Sequence, residues 1–228
     1  MQKQQIQVAV LDMAGTTVAD EGLVIASFDA AASAVGVPET GPERDRARQY
    51  VLDTMGQSKI TVFRALFDTE EQAQVANAAF EDAYAHLVDA GAARPIDGAV
   101  EAISRLRDAG VRVALTTGFS AATQDRLLAA LGWKSLPDLA LAAGNGVRGR
   151  PHPDLNLTAL MRLGGDGVGN LAVVGDTVSD IEAGLRGGAA IVAGTLTGAH
   201  EDQQLRRAGA THVVESVTAF AELVLARR

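Results

Sequence analysis

Short apolar runs alternate with helical stretches over most of this chain, and that alternation leaves few folds open to it. Candidate strands fall at residues 7–12, 111–116, 138–142, 171–175, 190–193 and 212–214. The spacing predicts helices between them at 97–109, 120–131, 154–163, 178–187, 200–208 and 216–226, several closed by a glycine at Gly110, Gly132, Gly164 or Gly209. Strands that are apolar without a regular polar face need cover on both sides. The pattern therefore predicts an α/β fold, a doubly wound Rossmann-like parallel sheet with helices on each face.

Residues 20–91 break the pattern, because no strand signal appears there and apolar residues recur at helical spacing, as in Val62, Leu66 and Phe67. Helices are expected at about 22–35, 43–54, 58–67 and 70–90. An all-helical insertion after the first strand makes a cap domain, residues 20–91, over a core of 1–19 and 92–228. Its hinges are expected at Asp20 to Gly22 and at Gly91 to Pro95.

Composition narrows the function. Aromatic residues make up only 4% and the net charge is -8, so base stacking and binding to nucleic acid or to an anionic membrane are not expected. The chain has no cysteine, which excludes disulfides, thiolate metal sites and cysteine nucleophiles. Met1 to Gln7 is polar and no apolar run approaches 18 residues, so a cytoplasmic protein is expected.

Four strand ends carry groups with chemistry in them. The first strand ends in Asp12-Met13-Ala14-Gly15-Thr16-Thr17, where a carboxylate stands before small residues whose N–H groups can turn inward; this suits a nucleophile facing phosphorus, or ordinary strand-to-helix punctuation. Gly175-Asp176-Thr177-Val178-Ser179-Asp180 places two carboxylates four residues apart, either aimed at a divalent cation or capping a helix. Thr116-Thr117-Gly118 offers hydroxyls to phosphate oxygens or to a helix start near Ser120. In Gly149-Arg150-Pro151-His152-Pro153-Asp154, Arg150 either clamps a phosphoryl group or decorates a turn. His86, His152, His200 and His212 are not spaced as a ligand cluster and are expected to be solvated or capping, and Trp133 to pack behind a helix end.

Taken together and in this order, the four motifs resemble those of the haloacid dehalogenase-like hydrolases, and in particular the phosphonoacetaldehyde hydrolase (phosphonatase) branch and its phosphonatase-like relatives. Most of that superfamily has a second Asp two positions after the first and a Lys before the Pro-rich turn; Ala14 and Arg150 stand there instead, as in phosphonatases. The resemblance implies Asp12 as nucleophile and Mg²⁺ held by Asp12, the carbonyl of Ala14 and Asp176, with Asp180 close by. It implies Thr117, Gly118 and Arg150 around the phosphoryl oxygens, a small phosphorylated or phosphonate substrate, and a homodimer contact through the cap.

Ala14 cannot protonate a leaving alkoxide, a task worth about 10²- to 10⁴-fold. A phosphonate needs an electron sink instead, and a lysine imine on a neighbouring aldehyde supplies one. Of the three lysines, Lys3, Lys59 and Lys134, only Lys59 lies in the cap. Met55-Gly56-Gln57-Ser58-Lys59 resembles the phosphonatase motif that carries the Schiff-base lysine, with Met55 and Gly56 at the substrate. Ser58 is expected to cap a helix whose dipole lowers the Lys59 pKa. Two positions depart from the family: Val62 stands where phosphonatases carry a histidine, and Phe119 where they carry a tyrosine. The leading expectation is C–P cleavage of phosphonoacetaldehyde or a close carbonyl-bearing analogue. A small-molecule phosphomonoesterase of the phosphoglycolate phosphatase kind and a non-catalytic phosphate-binding protein are the alternatives.

Overall fold

The computed structural model describes residues 5–227. In chain order the strands are β1 (Val8–Asp12), β2 (Val18–Ala19), β3 (Arg94–Pro95), β4 (Arg112–Thr117), β5 (Leu139–Ala142), β6 (Leu171–Gly175), β7 (Ile191–Thr195) and β8 (His212–Val214). Six of them form one parallel sheet in the order β5-β4-β1-β6-β7-β8. The chain starts at β1 in the middle of the sheet, so its order reverses there and a crevice opens at the carboxyl ends of the strands on either side. Register brings those ends level: Asp12 lies opposite Thr116, and Leu11 opposite Val174.

Successive strand residues point to opposite faces, and both faces are apolar. Ala9, Leu11, Val113, Leu115, Ala172 and Val174 join one cluster beneath α5 (Ala99–Asp108), α6 (Ala121–Ala130) and α10 (Val217–Leu225). On the other face Val8, Val10, Ala114, Leu171 and Val173 pack on Leu155, Ala159 and Leu160 of α7 (Asp154–Arg162). The helices α8 (Val178–Arg186) and α9 (Asp202–Arg207) add a smaller cluster around Ile181, Val192 and Leu205. Each fully buried aliphatic side chain in these layers contributes about 1.5–3 kcal/mol.

The stretch between β2 and β3 is helical: α1 (Leu23–Ala34), α2 (Pro42–Asp53), α3 (Lys59–Leu66) and α4 (Glu70–Asp89). The longest, α4, buries Ala73, Ala76, Phe80, Tyr84 and Val88 at three- and four-residue intervals, a single apolar stripe. Phe63 of α3 stacks on Phe28 of α1 at 6.4 Å and meets Phe80 edge-on at 6.0 Å. Arg44, 2% exposed, ties α2 to α1 by donating to the carbonyls of Asp29, Val37 and Pro38 and to the Ser33 hydroxyl; its role is structural.

The hinge segments are more ordered than their sequence suggests. Val18 pairs with Pro95 and Ala19 with Arg94 as a two-residue antiparallel ribbon, and Arg94 reaches Glu21 at 2.8 Å, so the entering and leaving strands are joined. Two residues are too few to show a strand period.

Candidate active site

Asp12 ends β1 at the crevice. Asp176 follows the last residue of β6, and α8 begins two residues later with Thr177 as its cap: the Thr177 hydroxyl accepts from the Asp180 N–H, and Asp180 Oδ2 accepts from the Thr177 N–H at 3.2 Å. Carboxylate oxygens of Asp12, Asp176 and Asp180 come within 4.8 Å of one another, and all three residues are buried. Desolvation, opposed by Arg150 and reinforced by the neighbouring acids, holds Asp12 well above the usual carboxylate range. Desolvation and then Asp180 push Asp176 up to about 7.

Arg150, 5% exposed, supplies the counter-charge: one nitrogen lies 2.6 Å from Asp12 Oδ1, the other 2.5 Å from Asp180 Oδ1. One guanidinium cannot balance three carboxylates. Buried hard oxygen donors at this spacing, in excess of the local positive charge, are a donor set that fits a divalent cation. Arg150 does not itself line the cavity in front of Asp12, so the arginine expected at the phosphoryl oxygens here bridges two carboxylates. Thr117 accepts from the Phe119 N–H at 3.1 Å, and the residue that caps α6 is Ser120, which accepts from the Thr123 N–H.

From the helical side Lys59 opens α3, and its N–H donates to the Gly118 carbonyl at 3.2 Å. That contact needs glycine twice. A Cβ on Gly118 would lie 2.4 Å from the Gln57 carbonyl oxygen, and one on Gly56, where φ is +83°, 2.3 Å from the Thr177 hydroxyl. The Lys59 amine lies 5.7 Å from the Phe80 ring centre and 5.6 Å from that of Phe119. Burial lowers its pKa to about 8 against the pull of Asp20 and Asp12. Ser58 does stand at the cap position, but its side chain makes no capping hydrogen bond. The lowering expected from a capped helix start is therefore due first to desolvation beside two rings.

One cavity of about 330 Å³ is lined by Asp12, Ala14, Met55, Lys59, Thr117 and Asp176, with Gly56 and Gly118 also on its wall. Asp180 and Arg150 do not line it: Arg150 pairs with Asp12, and Asp180 pairs with Arg150 and accepts from Thr177, which is on the wall. Three groups were not singled out by sequence. Asp20 also lines the cavity, Ala199 donates its N–H to Asp176 Oδ2 at 2.7 Å, and Thr197 donates to the Gly15 carbonyl at 2.7 Å. The last two sit in the loop after β7, which carries no motif. Asp20 was readable only as a hinge residue, and its signal is tertiary. His200 accepts from the Val178 N–H at 2.8 Å and so caps α8, while Trp133 is buried behind α6.

The family model of the haloacid dehalogenase-like hydrolases matches residues 6–188. Over 127 residues the chain is 35% identical to "Probable phosphatase IndB" of Dickeya dadantii, covering 56% of this chain and 53% of that one. Over 112 residues it is 34% identical to phosphonoacetaldehyde hydrolase of Bacillus cereus, covering 48% and 41%. The chain thus spans about half the length of the curated relatives it matches. The fold is similar to that of a solved phosphonoacetaldehyde hydrolase-like protein from Oleispira antarctica, with TM-score 0.83, 22% identity and coverage of 99% and 93%. No helix among the described residues is long and apolar enough to cross a membrane.

Proposed function

The chain belongs to the haloacid dehalogenase-like hydrolases, and within that family we propose that it cleaves the C–P bond of phosphonoacetaldehyde or of a close carbonyl-bearing analogue. The observation that carries this reading is Lys59: a buried amine with a pKa of about 8 on the wall of the cavity that Asp12 also lines. Relatives from Bacillus cereus bear the name of that activity. Residues 20–91 act as a cap that brings the amine to a core made of 1–19 and 92–228.

The neutral Lys59 amine adds to the aldehyde carbon and, after uptake of a proton by the hydroxyl and loss of water, forms a protonated imine. Asp12 then attacks phosphorus in line. The C–P electron pair flows into the imine and leaves a neutral enamine; water hydrolyses the aspartyl-phosphate, and the enamine takes a proton at carbon to give an imine that water hydrolyses to acetaldehyde. Ala14 fits this chemistry because no alkoxide leaves and no second acid is needed there. Thr117 and the N–H groups of the turn after Asp12 face the phosphoryl oxygens. Arg150 opposes the burial that raises the Asp12 pKa, being the group that lowers it most, and so favours the ionised form that the attack on phosphorus needs. Mg²⁺ is the cation proposed for Asp12, Asp176 and the Ala14 carbonyl, with Asp180 beside them; when bound it neutralises charge on the phosphoryl group.

The test is release of acetaldehyde and phosphate from phosphonoacetaldehyde with Mg²⁺, in the intact protein and in Lys59→Arg. The proposal expects release that the variant loses. The similarity to a protein named a probable phosphatase favours one second reading, hydrolysis of a small phosphate ester. Phosphoglycolate turnover that survives Lys59→Arg, with no release from the phosphonate, is the result that selects it.

A further inference from the structure

The carbinolamine that Lys59 would form needs a proton on its hydroxyl before water can leave, and the groups around the amine narrow the source to one residue. Val62, one turn along α3, is apolar and buried, and Phe119 presents a ring. Glu21 is exposed and paired with Arg94 at 2.8 Å. Tyr84 is buried, and its hydroxyl has no hydrogen-bond partner among the described residues. Burial and the negative charges of Asp20 and Asp12 raise its pKa, so it is a poor acid at neutral pH. Asp12 is held by Arg150, and Asp176 by Ala199 and Thr16.

Asp20 remains. It lines the same cavity as Lys59, and of the carboxylates acting on the amine it exerts the largest electrostatic pull, ahead of Asp12. Its Oδ1 accepts from the Val24 N–H at 2.9 Å, which orients the group at the start of α1. Among the described residues no group hydrogen-bonds its second oxygen. Burial raises its pKa, opposed by the Val24 N–H and by Lys59, so the protonated form is favoured compared with an exposed aspartate.

We propose that Asp20 is the general acid and base of the Lys59 imine chemistry, delivering the proton that expels water from the carbinolamine and taking it back when the product imine is hydrolysed. This rests on the imine reading of Lys59. In the forward step the proton passes from the Asp20 carboxyl to the carbinolamine hydroxyl, the C–O bond breaks, and water leaves. The nitrogen lone pair forms the C=N bond, and Asp20 is left as carboxylate. After C–P cleavage the enamine takes up at its terminal carbon the proton freed when water hydrolyses the aspartyl-phosphate, giving the product imine; water then adds to the imine carbon as Asp20 takes its proton, and the carbinolamine collapses to acetaldehyde and free amine, so Asp20 ends the cycle protonated, as it began.

The experiment follows the Lys59 adduct directly. The intact protein and Asp20→Asn are mixed with phosphonoacetaldehyde and Mg²⁺, quenched with borohydride at successive times, and the reduced adduct at Lys59 is counted by mass spectrometry. Asn keeps an oxygen for the Val24 N–H, so the variant is expected to melt within a few degrees of the parent. Adduct formation and acetaldehyde release are both expected to slow by about 10²-fold or more, with partial recovery on adding formate, which a lost structural contact would not show. If Asp20→Asn fails to fold, Asp20→Ser keeps a capping oxygen and carries the same expectation. Adduct formation within twofold of the parent overturns the role of Asp20 while leaving the imine intact. No adduct in the intact protein, together with activity that survives Lys59→Arg, overturns the imine reading and this inference with it.

Discussion

A buried amine is a liability to the fold, and its cost can be read from Lys59 itself. Its pKa falls from 10.5 in the open chain to about 8 in the folded protein, which disfavours the charged form by on the order of 3 kcal/mol. The folded pKa lies below the unfolded one, so the penalty is fully present below pH 8. It fades as pH rises towards 10.5, where the unfolded chain also gives up its proton. Lys59→Met fills a similar volume and removes the charge. The variant is expected to be more stable than the parent by about 3 kcal/mol at pH 7, or roughly 6–12 °C in melting temperature for a chain of this size, and by less than about 1 kcal/mol at pH 10. Urea or thermal unfolding of both proteins at the two pH values measures this, since the difference between them cancels other titrating groups. The same variant should release no acetaldehyde from phosphonoacetaldehyde. A Lys59→Met protein no more stable than its parent at pH 7, or with a gain that does not shrink by pH 10, refutes the claim that burial sets this pKa.

A divalent cation should relieve repulsion among Asp12, Asp176 and Asp180, so Mg²⁺ is expected to raise the melting temperature and EDTA to reverse it, with Asp176→Asn losing the response in differential scanning calorimetry. Because the cation competes with a proton at Asp176, whose pKa is about 7, Mg²⁺ affinity by titration calorimetry should strengthen as pH rises towards 7 and level off above it. Gly118→Ala should lower kcat/KM by at least tenfold and cost about 1–3 kcal/mol in unfolding, because its Cβ would press on the Gln57 carbonyl across the contact that seats Lys59; unchanged kinetics would show that this contact is dispensable.

Most of the sheet and its helices were legible from the sequence, because strands such as Val8–Asp12 and Leu171–Gly175 are buried on both faces and bounded by glycines or caps. The α4 stripe was equally clear, since twenty residues hold five turns of one period. The β2–β3 ribbon was not, because neither strand is long enough to alternate. At the site, Asp12, Asp176 and Lys59 could be named from motifs because each stands at the end or start of an element. Their electrostatics could not. Lys59 is desolvated by tertiary burial, and Asp20 acts on it electrostatically across a separation of 39 residues, so neither effect leaves a local pattern. Arg150 reads in sequence as an arginine free to reach a ligand; only the convergence of β1, β6 and the turn before α7 gives it Asp12 and Asp180 as partners.

That convergence divides the labour of the cavity. Beside Asp12, Arg150 stands between two buried carboxylates and opposes the desolvation that raises the Asp12 pKa; removing it would leave charge unpaired in the interior, a loss of about 3–5 kcal/mol. Where Lys59 lies, burial acts on an amine instead. Burial favours the neutral form of Lys59 against the pull of Asp20 and Asp12, and Asp20, which makes no salt bridge among the described residues, is biased by burial towards its acid form. Under the proposed reaction Asp12 must be charged to attack phosphorus and Lys59 neutral to attack carbon, while burial favours the neutral form of each, so Asp12 alone needs an opposing charge. The fold separates them by building the first from the carboxyl ends of the sheet strands, around an arginine, and the second from a helix start that the insertion presses onto Gly118. The counter-charge that Asp12 has and the burial that Lys59 keeps thus follow from which element supplies each group.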